Sequence, residues 1–130
     1  MGRTMRLGIL ALAASLAVFA SEPILAQTAG APAAPSRLTP VNESGQIVVI
    51  LEKHVFTPAE IHVPAGQRTQ ILIKNLDATA EEFDSTTLKI EKVIAGRSEA
   101  VMRLRALDAG TYPFVGEYNT DTAKGVVIAE

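Results

Sequence analysis

Hydrophobic and polar residues alternate with a two-residue period in several short stretches of this chain, the pattern of strands with one buried face. Ala100, Met102, Leu104 and Ala106 alternate with Val101, Arg103 and Arg105. Residues 68–74 alternate around Ile71 and Ile73, and Tyr112 and Phe114 alternate with Thr111, Pro113 and Val115. Two apolar runs are continuous: Ile47-Val48-Val49-Ile50-Leu51 within residues 46–55, and Val126-Val127-Ile128-Ala129 after Gly125. Their β-branched content predicts buried strands. Residues 60–63 predict a short strand, stopped by Pro64-Ala65-Gly66. Residues 81–92 are mixed, with Phe83 and Leu88 as core contacts. Turns are expected at residues 56–59, 75–79, Ala95-Gly96 and 108–110. Short strands between Gly and Pro turns predict an all-β sandwich. Residues 43–130 suffice for one small domain with a single core.

The first 42 residues follow neither pattern. Arg3 and Arg6 precede an almost wholly apolar stretch over residues 7–20, and small residues follow up to Ala26. A basic start, a short apolar core and a small residue at the cut read as a secretory signal peptide over residues 1–26. A membrane anchor is the competing reading, but the apolar run falls short of the ~20 residues that span hydrocarbon. Residues 27–42 are rich in Ala and Pro and read as a linker. Export places the mature protein in the periplasm. The chain has no Cys, which removes disulfides, thiolate metal sites and Cys nucleophiles. Without Arg3, Arg6 and Glu22 the mature chain carries a net charge of −3. No basic stripe suggests nucleic acid.

Residues 110–125 are the most informative. Gly-Thr-Tyr-x-Phe, a polar loop, then Lys-Gly and a β-branched run resemble the C-terminal hairpin of cupredoxins. The order Phe-x-Pro-x-x-Ile-x-Val-Pro-Ala-Gly, then Ile-x-Ile-x-Asn, extends the resemblance over most of residues 46–130. It implies a cupredoxin-like Greek-key β-sandwich of about seven to eight strands. In copper-binding members the C-terminal loop carries Cys, His and often Met, and Gly116, Asn119 and Ala123 stand at the corresponding places. Glu81 stands where another His ligand follows the Asn-x-Asp loop. The resemblance therefore implies a kept scaffold without a type 1 blue-copper centre. Gly-Glu-Tyr-Asn-x-x-Thr-Ala-x-Gly, Glu-Glu-Phe-Asp-Ser and Glu91-Lys92-Val93 are similar to a narrower group. These are cupredoxin-like periplasmic proteins associated with bacterial ferrous-iron permeases, related to the cupredoxin domain of EfeO-type proteins. Some of them have His where this chain has Asn119.

Carboxylates are hard donors suited to Fe³⁺, Mn²⁺ or Ca²⁺ and, with a His, to Fe²⁺ or Cu²⁺. The candidate metal residues are Glu81, Glu82, Asp84, Glu117, Asp121 and His54. Tyr118, Asn119 and Glu91 are expected to support them or relay electrons. Strand alternation sends Glu82 and Asp84 to one face and Glu81 and Phe83 to the other, so one glutamate lies outside any site. Solvated acidic loops are the plain alternative. His62 reads as a surface or hydrogen-bonded strand residue, and Met102 and Tyr112 as core. Lys89, Lys92, Arg103 and Arg105 read as a solvated face or a docking patch for a membrane partner. No Ser-His-Asp order, phosphate loop or carboxylate pair around a cleft can be argued.

The expected function is binding of iron, with copper as the other candidate ion, and delivery of iron to an inner-membrane iron permease. Another periplasmic iron-binding protein is the expected second partner. Oxidation of iron by this chain is left open. The alternatives are a copper electron-transfer protein, a metal-free β-sandwich interaction module, and an enzyme subunit active only in a complex.

Overall fold

The computed structural model describes residues 37–130, all within one compact unit, Ala34–Glu130. The residues read as a signal peptide, and most of those read as a linker, lie outside the described residues. Of the linker only residues 37–42 are described, and they are bonded to the domain. The Thr39 amide donates to the His62 carbonyl (2.9 Å), and the Asn42 side chain accepts from the Ser44 and Gln46 amides.

The described residues form nine strands: β1 Gln46–Glu52, β2 Val55–Thr57, β3 Glu60–Val63, β4 Thr69–Asn75, β5 Glu81–Ser85, β6 Ile90–Ile94, β7 Ser98–Leu104, β8 Gly110–Gly116 and β9 Lys124–Ala129. One sheet has the order β2-β1-β4-β7 and the other β3-β9-β8-β5-β6. The expected all-β sandwich is what forms. Phe56 and Thr57, read as part of a turn, join Val55 in a three-residue strand that carries the count to nine. Burial of Phe56 at 1% exposure explains it: pairing Leu51 with Phe56 brings the ring into the core.

The alternating positions of β1, Ile47, Val49 and Leu51, face inward, while Val48 and Ile50 are half-buried outside. Ile71 and Ile73 of β4 and Met102 and Leu104 of β7 continue that layer. Phe83 of β5 and Phe114 of β8 stack at 4.8 Å, and Phe56 meets both rings edge-on at 6.2 and 5.3 Å. The three rings join the two sheets at their centre. Tyr112, expected in the core, is only partly buried. Its hydroxyl donates to the Asp108 carbonyl at the surface (2.8 Å), and that end of the ring has to stay near water.

Strand β3 pairs in parallel with β9. His62 on β3 is held between Glu60 (2.8 Å) and Glu130 (3.0 Å). Hydrogen bonds to Glu60 and then Glu130 raise its pKa above the ordinary value. The two carboxylates hold opposite nitrogens of the ring, so this trio does not converge on one point.

Candidate metal pole

Strands β1 and β4 run parallel and finish together, at Glu52 and Asn75. The loop after β4 leads into β5, and the loop after β8 packs beside it, so the conspicuous polar residues gather at one end of the sandwich. Asn75 organises that end. Its buried amide donates to the carbonyls of Thr79 (2.9 Å), Ile94 (3.2 Å) and Ala95 (3.2 Å), and its Oδ1 accepts from the Asp77 amide (3.0 Å). Asp77 then accepts the amides of Lys53 (2.7 Å) and His54 (2.9 Å), which turn from β1 to β2 with left-handed backbone. Burial pushes the Asp77 pKa up. The His54 and Lys53 amides, with the charges of His54 and Arg97, outweigh burial and hold it below the ordinary value. The Asn-x-Asp motif is thus the joint between three loops. The sequence shows the motif, but its distant carbonyl partners have no local pattern to reveal them.

On β5, Glu81, Phe83 and Ser85 are buried while Glu82 and Asp84 point out. Phe83 decides this alternation, because its ring must lie in the core. Glu81 is 1% exposed. Its Oε1 accepts the amides of Tyr118 (2.9 Å) and Glu82 (3.1 Å), and its Oε2 accepts the Asn119 side-chain amide (2.7 Å). No cationic side chain among the described residues forms an ion pair with it. The loop begins with a 3₁₀ turn, Glu117–Asn119, that delivers both loop donors. The Ala123 amide donates to the Asn119 carbonyl (2.8 Å), and the Gly116 amide to the Ala123 carbonyl (2.6 Å). A Cβ on Gly116 would lie 2.6 Å from the Ala123 Cβ and 2.7 Å from the Glu81 carboxyl carbon. Glu81, Gly116, Asn119 and Ala123 therefore meet.

The outward carboxylates form a second group. Asp84 lies opposite Glu91 of β6, and Glu82 opposite Val93. Glu91 holds its proton above the ordinary carboxylate range. The largest cause is its hydrogen bond with Glu82, followed by the negative charges of Glu82 and Asp84, then burial and the charge of Glu117. Tyr118, 53% exposed, reaches the same group. Burial, then the charge of Glu82 and a hydrogen bond with it, raise its phenol.

The two remaining candidates stand apart. His54 lies with Asp77, its Nδ1 3.6 Å from Oδ2. Asp121 is exposed and takes part in no hydrogen bond or ion pair among the described residues. Among the described residues no group of three or more His, Asp and Glu side chains is arranged to hold a metal ion.

Type 1 copper needs a thiolate and imidazoles, and these residues do not fit it. Gly116 has no side chain and no room for one, Ala123 has no sulfur, and the Asn119 amide is committed to Glu81.

Residues 8–129 match the family model described as a cupredoxin-like domain. The chain is 31% identical over 83 residues to an uncharacterised protein of Rickettsia prowazekii (strain Madrid E), covering 64% of this chain and 66% of that protein. The chain thus spans about two thirds of that relative's length. Among solved structures it resembles the metal-binding domain of the Cu(I)-exporting P-type ATPase CopA of Streptococcus pneumoniae D39, with Cu(I). The TM-score is 0.59 and the identity 21%, over 72% of this chain and 94% of that one. A reduced amicyanin variant matches at TM-score 0.54 and 21% identity, over 69% and 86%. Auracyanin A, a blue copper protein of Chloroflexus aurantiacus, matches at TM-score 0.54 and 18% identity, over 65% and 98%. At such identities the likeness is one of fold.

Proposed function

As this chain belongs to the cupredoxin-like domain family, we propose that it handles metal ions, binding hard cations on its outward carboxylates and handing them on. The cation in this reading is iron. The receiver is an inner-membrane iron permease, and a second periplasmic iron-binding protein shares the route. The solved relatives supply only the class of ligand: one is a metal-binding domain with Cu(I), another a blue copper protein.

One observation carries the reading. Asp84 lies opposite Glu91 on paired strands, and the neighbouring Glu82, with the charges of Asp84 and Glu117, raises the Glu91 pKa. Two carboxylates close enough to share a proton can share a cation instead, and a cation relieves the repulsion of all four. Oxygen donors favour iron or manganese over Cu(I). An exposed, incomplete ligand set suits exchange rather than a permanent centre. Any oxidation of bound Fe²⁺ here requires an electron acceptor, which a redox partner would provide. The permease is supported by the resemblance of Glu-Glu-Phe-Asp-Ser, Glu91-Lys92-Val93 and Gly116-Glu117-Tyr118 to the iron-associated group.

Calorimetric titration with Fe²⁺ under anaerobic conditions tests this. Glu82→Gln/Glu91→Gln is expected to weaken binding at least about tenfold, the loss of two charged ligands. Wild-type affinity is expected to rise from acid to neutral pH, because the proton on Glu91 competes with the cation. Equal binding in both proteins, or affinity indifferent to pH, contradicts the reading. In cells lacking the protein, the wild-type gene but not the double variant should restore iron accumulation through the permease.

The closed contacts around Glu81 favour a second reading, a metal-free interaction module. It predicts no iron binding and a thermal midpoint that iron leaves unchanged.

A further inference from the structure

Glu81, Gly116, Asn119 and Ala123 occupy the ligand positions implied by the cupredoxin resemblance, and here they bond to one another. We propose that the Glu81 carboxylate takes the place of the metal. It ties β5 to the loop between β8 and β9 through hydrogen bonds and closes the copper position against any ion.

A carboxylate has about four acceptor sites, and Glu81 fills three with the amides of Glu82, Tyr118 and Asn119. The 2.7 Å bond from Asn119 lies in the short range of charge-assisted hydrogen bonds. Asn119 passes the tie onward, because its carbonyl accepts the amides of Thr122 (3.2 Å) and Ala123 (2.8 Å). Gly116 is required for closure, since the Glu81 carboxyl carbon lies 2.7 Å from where its Cβ would be. The space a sulfur ligand needs is filled by a carboxylate.

The lock has a consequence on the outer face. The Tyr118 amide is one of its donors. Glu81 therefore holds the turn Glu117–Asn119 that carries Tyr118. It is a positioning residue for the outward group, reached through the backbone.

Thermal unfolding and the nuclear magnetic resonance shift of the Tyr118 backbone amide test the proposal together. Glu81→Ala leaves three donors without their acceptor and is expected to lower Tm by about 10 °C or more in a domain of this size. It should also move the Tyr118 backbone amide proton resonance, which loses its carboxylate acceptor. Copper ions should shift the Tm of wild type no more than that of Glu81→Gln. If Glu81→Ala does not accumulate folded, Asn119→Ala removes one donor and should lower Tm by about 5 °C. An Ala variant with wild-type Tm and an unmoved Tyr118 amide resonance overturns the proposal. So does a copper-dependent rise in Tm that Glu81→Gln abolishes. Failure of Fe²⁺ binding on the outer face leaves the lock untouched, because none of these readouts uses a cation there.

Discussion

Gly116→Cys, which places a sulfur atom against Glu81, is expected to destabilise the domain by about 3–5 kcal/mol and to give no blue protein. The new Cβ would lie 2.6 Å from the Ala123 Cβ and within 2.9 Å of Glu81 Oε1, and Sγ would extend further into the same contacts. Relief requires Glu81 to leave its pocket, and its three donors then lose their acceptor. Overpacking alone costs about 1–3 kcal/mol, and each buried group left unsatisfied about as much again. Small domains have about 5–15 kcal/mol in total, so most of the stability is at stake. Urea unfolding reads the loss, and a visible spectrum after addition of Cu²⁺ reads the site. A variant as stable as wild type that turns blue contradicts the account.

Asn75→Ala is expected to destabilise by about 3 kcal/mol or more. Asn75 is 1% exposed, and one amide group serves three carbonyls while its oxygen takes the Asp77 amide. Truncation leaves carbonyls of two loops without this donor, that of Ile94 in a buried place. Asn75→Asp separates this cause from mere loss of volume. Its carboxylate keeps the bond to the Asp77 amide but sets negative oxygen against the carbonyls of Thr79, Ile94 and Ala95. It should therefore destabilise at least as much as Ala despite its near-identical shape. Urea midpoints near wild type for both variants would show that the three-loop joint contributes nothing.

The strands were legible because period-two alternation and β-branched runs report burial directly. Ile47, Val49, Leu51, Met102, Leu104 and Phe114 lie where that pattern puts them. Strand β2 was not, because three residues are too few to show a period; only pairing with β1 makes them a strand. The pole was half legible. The order of the motifs brings Glu81, Gly116, Asn119 and Ala123 into correspondence, and Phe83 in the core fixes Glu81 inward and Glu82 outward. That Glu81 is hydrogen-bonded to loop amides 37 and 38 residues away depends on tertiary packing. The attachment of His54 to Asp77 was hidden too, since it arises from a left-handed turn at Lys53 and His54.

In the proposed function cations bind the outward carboxylates while protein closes the inner pole. Paramagnetic Mn²⁺ titrated into isotope-labelled protein tests it most directly, by broadening the amide signals nearest the bound ion. The account predicts that Glu82, Asp84, Glu91, Glu117 and Tyr118 broaden first, and that Glu82→Gln/Glu91→Gln abolishes the effect. Broadening that starts at His54 and Asp77, that is uniform over the surface, or that survives in the double variant would contradict it.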